Sequence, residues 1–283
     1  MGNTRADLLA RYEAIGIVDR GEGLPLHSCC PKAQFCWSGL APHHHPADAF
    51  AGISLPWIGP RYTPSGVLLV GINMNEHGGL GAWEGLIRGA LADLPFKDRL
   101  YASDTYAGSM FQQRAGWYAA VIFRHLGIEE FQDGRDVLDW HHHPSRNARV
   151  CQAWEQLAAT NQVKCSPLVS PETPKSRPTA GMWEHCAPFL LAVELEVLRP
   201  RVLLVLGLGE NLSQLGRIGS MEGHRVAEGI YRGTVQSQMG VLQIVGVTHP
   251  AAFGGCSKAL VTRLDQALRD HPLRPGADSA PAG

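Results

Sequence analysis

The sequence predicts an α/β fold: a three-layer α/β/α sandwich around a short, mostly parallel central sheet. Three observations carry this. GVLLVGI (66–72) and RVLLVLG (201–207) are continuous apolar runs, the composition of strands buried on both faces. Helical patterns alternate with them at 111–127, from Thr179 onward and after Ser257. The 283 residues suffice to bury a sizeable core, and no internal repeat divides them.

At the N-terminus, Asn3 or Thr4 can cap a helix whose Leu8, Leu9, Tyr12 and Ile15 share a face, an amphipathic pattern unlike a signal peptide. Residues 21–65 are rich in Gly, Pro, His and Cys without periodicity, so they read as an irregular segment that something must pin. FQQRAGWYAAVIFRHLG (111–127) reads as a helix ending at Gly127. A short strand is expected over 158–164. From Thr179 a helix places Met182, Cys186, Phe189, Leu190, Val193 and Val197 at helical spacing until Pro200. The polar stretch from Gly223 suggests a hairpin feeding a last strand, 241–247. Ser257 can cap a final helix through Leu260, Val261, Leu264 and Leu268. One domain over 1–270 is expected, with a disordered tail from His271 to Gly283.

Hydrophobic residues make up 45% and charged residues 18%, a globular composition without an apolar run of the roughly 20 residues a membrane span needs. A cytoplasmic monomer without an obligate protein partner or membrane contact is the expectation. Seven cysteines without a secretory signal favour metal or cluster ligation over disulfides. A net charge of −1 argues against a large nucleic-acid footprint but leaves room for a local basic groove. In parallel sheets, ligands bind at the carboxyl ends of the strands. Three polar segments follow predicted strands: NMNEHGG, the loop from Cys165, and HPAAFGG. They should converge on one cleft.

These segments together resemble the uracil-DNA glycosylase superfamily, most closely its iron–sulfur branch. The resemblance runs from about Cys29 to the final helix. GVLLVGINMN stands at the first active-site motif, with a G-I-N like that of the mismatch-specific thymine/uracil glycosylases. GSMFQQRAG (108–116) resembles the loop carrying a base-stacking phenylalanine, and TNQVKC the TN-x-VKC strand end. CAPFLLAVELEVLRPRVLLVLG resembles the helix and strand after the fourth cluster cysteine, and THPAAF the second active-site motif.

The resemblance implies a monofunctional DNA N-glycosylase, which flips a nucleotide out of the duplex and hydrolyses its N-glycosidic bond to leave an abasic site. Asn73 would position the attacking water. His249 would hydrogen-bond the departing base and stabilise its developing charge. Phe111 would stack on the base. Asn161, at once donor and acceptor, suits its polar edge, with Asn75 and His77 as further polar candidates. Pro250, Gly254 and Gly255 would approach the DNA backbone, and Phe253 would wedge into the gap left by flipping. Singly, Asn73 also suits a turn after a strand, His249 a satisfied loop position and Phe111 a core. For Asn73 and His249 the joint placement after the first and last strands favours the functional reading; taken singly, Phe111 and Phe253 read as core.

The iron–sulfur branch holds a [4Fe–4S] cluster on two cysteines near the N-terminus and two around the loop after the TN-x-VKC strand. Cys165 and Cys186 match the later pair. For the earlier pair, Cys36 with Cys30 is preferred, and Cys29 is the alternative to Cys30, because this chain lacks the usual C-x-x-C. Zinc on the same positions is the alternative metal. Cys151 and Cys256 read as buried thiols. The histidine runs at 43–45 and 141–143 read as surface loops, although a zinc-dependent hydrolase would use them.

Three departures from the family pattern bear on substrate. Met74 and Asn75 replace a Pro-Gly step in the first motif, and insertions occupy 75–107 and 128–157 near the expected cleft. A small pocket suits uracil; altered loops suit a modified or bulky pyrimidine, such as occurs in foreign (phage) DNA, with defence as the role. Repair of uracil or other deaminated bases is the alternative, and a non-catalytic DNA-binding or damage-sensing protein is the alternative of another class.

Overall fold

The computed structural model describes residues 4–17, 30–36, 56–63, 66–72, 107–137, 146–164, 178–250 and 258–274. The chain is mixed α/β. Its strands are β1 (Trp57–Ile58), β2 (Val67–Gly71), β3 (Ala158–Asn161), β4 (Val202–Leu206), β5 (Ser220–Ala227), β6 (Ile230–Ser237) and β7 (Gly240–Val247). Its helices are α1 (Thr4–Ala14), α2 (Ala33–Cys36), α3 (Ala107–His125), α4 (Arg146–Gln156), α5 (Ala180–Cys186), α6 (Ala192–Leu198), α7 (Glu210–Gln214) and α8 (Lys258–Asp270). Among the described residues, no helix is long and apolar enough to cross a membrane.

All seven strands form one sheet, ordered β1-β3-β2-β4-β7-β6-β5. Its four central strands, β3, β2, β4 and β7, run parallel. The edges are antiparallel: β1 against β3, and the meander β5–β6–β7. This corrects the expected short, mostly parallel sheet. The longest described strands, β5, β6 and β7, make up the antiparallel meander, and β5 is largely exposed, so it lacks the apolar run by which a buried strand announces itself.

Alternation along the strands divides the core between the two faces. Leu69, Leu204 and Val245 meet α3, α4 and α8, through residues such as Tyr118, Trp154 and Leu264. Leu68, Leu203 and Ile244 meet the other face, where Leu195, Leu198 and Leu212 lie. On the first face His125 Nε2 lies 2.8 Å from Asp265 Oδ1, and Arg269 Nη2 donates to Asp265 Oδ2 at 2.6 Å, joining α3 to α8. A third cluster packs Leu8 and Tyr12 of α1 with Cys30, Cys36, Val163, Met182, Trp183 and Cys186.

Several local expectations change. Leu8 and Tyr12 are buried as predicted, but Leu9 is exposed. The irregular 21–65 segment contains α2 and β1, the latter held by Trp57 Nε1 donating to the Trp154 carbonyl at 2.9 Å. The helix predicted at 111–127 starts at Ala107 and stops as expected at Gly127, whose φ of 75° favours glycine. Within 128–157, α4 places Val150, Ala153 and Trp154 in the core. A π-helical turn over Ala187–Leu191 interrupts the helix predicted from Thr179, at Pro188, which has no N–H to donate. Residues His271 to Arg274 are not a loose tail: Leu273 is in the core, and Arg274 N donates to Gln243 Oε1 at 2.8 Å.

Candidate functional site

Because β3, β2, β4 and β7 are parallel neighbours, the segments leaving their carboxyl ends emerge at one edge of the sheet. Pairing extends past the strands themselves. Gln162 N donates to Gly71 O at 3.0 Å, Val163 N to Ile72 O at 2.8 Å, and Gly207 N to Val247 O at 2.8 Å. The backbone is therefore fixed up to Ile72, one residue before Asn73. Asn73, Asn75, His77, Cys29, Cys165, Phe253, Gly254 and Gly255 lie outside the described residues. Phe111 lies in α3, with its side chain outside the description.

Asn161 is buried at the end of β3, opposite Gly71. A Cβ at Gly71 would stand 2.3 Å from Asn161 Oδ1, so the carboxamide lies directly against the glycine backbone. Gly71→Ala should push the Asn161 side chain aside and destabilise the protein by about 1–3 kcal/mol. Thermal unfolding checks this.

His249 follows β7 and is half-buried. Burial lowers its pKa below the ordinary imidazole value, so the ring is neutral at neutral pH. The adjoining Pro250 carbonyl accepts a hydrogen bond from Arg114 Nη1. Arg114 lies one helical turn after Phe111, so this contact ties the helix of one predicted site residue to the segment of another.

Sequence reasoning missed the polar groups that hold this edge. Asn211 Nδ2 donates to Val70 O at 3.0 Å and to Leu206 O at 2.9 Å, joining β2 to β4. Its Oδ1 then accepts from Gln162 Nε2 at 2.6 Å, which orients the Gln162 amide as well. Below Asn161, Glu194 is a fully buried hub. Its Oε1 accepts from the Tyr12 hydroxyl; its Oε2 accepts from Lys164 Nζ at 2.6 Å and from Thr160 Oγ1 at 2.7 Å. Lys164 also donates to Thr160 Oγ1. Burial lowers the Lys164 pKa, opposed by the Glu194 carboxylate. The available signal was TNQVK itself, in which every residue, four of them polar, is buried. A polar run that enters a core must be paired there.

The structure brings Cys30, Cys36 and Cys186 into one apolar cluster. Thr179 caps α5, accepting from Met182 N at 3.1 Å, and its hydroxyl donates to the Cys36 carbonyl at 3.0 Å. This docks α2 on α5. The Cys36 thiol is pushed well above the usual thiol range, first by its hydrogen bond with Cys186, then by burial and the nearby Cys186 and Cys30. Crowded, buried thiols resist becoming thiolates unless a cation joins them. Among the described residues, no group of three or more His, Cys, Asp or Glu has metal-holding geometry. The fourth expected ligand, Cys165, is the residue after Lys164 and lies outside the description. Cys151 is half-buried on α4; Cys256 and both histidine runs lie outside the described residues.

No protein-family model matches the chain, and no curated protein matches it either.

Proposed function

We propose that the protein is a monofunctional DNA glycosylase that excises a modified pyrimidine and carries a [4Fe–4S] cluster. The observation that supports this best is the shared carboxyl edge of four parallel strands. It gathers Ile72, Asn161 and His249, which stand in three separate motifs of the family resemblance. Asn73, one residue beyond Ile72, orients the water for attack on the sugar. Neutral His249 offers an N–H to the departing base, and Asn161 reads the base edge while Phe111 stacks on it. Pro250, Phe253, Gly254 and Gly255 face the DNA.

Cys30, Cys36, Cys165 and Cys186 hold the cluster. Bound there, iron supplies the positive charge that buried thiolates require and ties the N-terminal segment to α5. Cys36→Ser should reduce iron and sulfide from about four each per chain and lower the melting temperature. Metal analysis and absorbance near 400 nm check this, and zinc in place of iron would overturn the cluster assignment.

Incubating the protein with duplexes carrying single lesions, followed by alkali, tests the function. Strand breaks at bulky cytosine or uracil derivatives are expected. Robust cleavage at uracil alone would remove the modified-base assignment and leave uracil repair.

A further inference from the structure

We infer that Phe35 and Lys32, on the outer side of the cysteine cluster, form a second nucleic-acid contact that takes an unpaired nucleotide, its base on the Phe35 ring and its phosphate on the Lys32 ammonium. Phe35 is 49% exposed, although phenylalanine usually belongs to a core. It is not on a loose loop. Its N–H donates to the Lys32 carbonyl at 3.0 Å, and the next residue, Cys36, is buried in the cysteine cluster. A Cβ at Gly181 would lie 2.8 Å from the Phe35 carbonyl, so only glycine permits this close docking of α2 on α5. An aromatic ring is thus held rigidly at the surface, where binding would cost little ordering entropy.

The surroundings select the ligand. Lys32 Nζ sits 5.8 Å from the Phe35 ring centroid and 5.6 Å from that of Phe189, held between two aromatic faces. No carboxylate among the described residues pairs with it. The His185 ring lies 5.4 Å from Phe35, tilted by 49°. An exposed ring beside a cation and an imidazole is the arrangement that binds single-stranded nucleic acid: a face for stacking and a charge for phosphate. A purely apolar partner would desolvate the Lys32 ammonium, which costs binding.

This inference extends the DNA-binding reading to a surface apart from His249. Fluorescence anisotropy with a single-stranded oligonucleotide tests it on the metal-loaded protein. Phe35→Leu keeps the apolar volume but removes the stacking face, and should weaken binding roughly 5- to 100-fold. Phe35→Trp should restore it. Lys32→Gln should reduce the slope of log affinity against log salt by about 0.7. Equal binding by the leucine and tryptophan variants, or an unchanged salt slope in Lys32→Gln, would overturn the inference. An excision assay on the wild-type protein separates the two claims: Phe35-dependent binding with no base excised would sink the glycosylase reading and leave this surface standing.

Discussion

His249→Ala should bind DNA nearly as well as wild type and excise the base roughly 10²–10³-fold more slowly, the usual effect of removing one donor to a developing negative charge. The leaving base acquires charge only as the glycosidic bond breaks, so the loss belongs in the rate constant and not in binding. Burial also fixes the sign of the pH dependence. The His249 pKa is lowered, so the imidazole stays neutral below the pH at which an exposed histidine protonates. Excision that needs the neutral ring should hold steady as pH falls through about 6.5 and decline only at lower pH. In His249→Ala that acidic decline should be absent. Single-turnover rates across pH for both proteins check the prediction.

Glu194→Ala should be the most damaging single change to stability. The carboxylate accepts from three groups: Tyr12 of α1, Thr160 of β3, and Lys164 just beyond it. Lys164 and Glu194 have side chains only 1% and 0% exposed, so removing the acid leaves an ammonium in the core without water or counter-charge. Breaking such a pair costs about 3–5 kcal/mol, a large share of ordinary domain stability. The double variant Glu194→Gln with Lys164→Met removes both charges and should recover most of the loss. Chemical denaturation of Glu194→Gln, Lys164→Met and the double variant gives the coupling energy directly. Equal destabilisation in single and double variants would show that volume, not charge, sets the cost.

The two buried runs at 66–72 and 201–207 were legible because strands covered on both faces have no polar alternation to obscure them. Others were not. Helix α4 is polar overall, and the few apolar residues it sends to the core, Val150, Ala153 and Trp154 among them, stand in a run that reads as a loop. The β5–β6 hairpin was legible in the polar stretch from Gly223, but the start of β5 at Ser220 was not, because most of its side chains face water. The π turn at Pro188 leaves the apolar spacing of a helix nearly intact and so cannot be seen in it. In the site, Asn161 was readable from its motif. Glu194 was not, because its partner Tyr12 lies 182 positions away and ELEV reads as an ordinary helix surface. Long-range pairing leaves its trace in sequence only as a polar residue where a core residue belongs.

Mass spectrometry of the small molecules released from a modified-pyrimidine duplex tests the central claim most directly. One free, intact base is expected for every abasic site formed, with release depending on Asn73 and His249. Intact DNA binding with no free base from any duplex would contradict it.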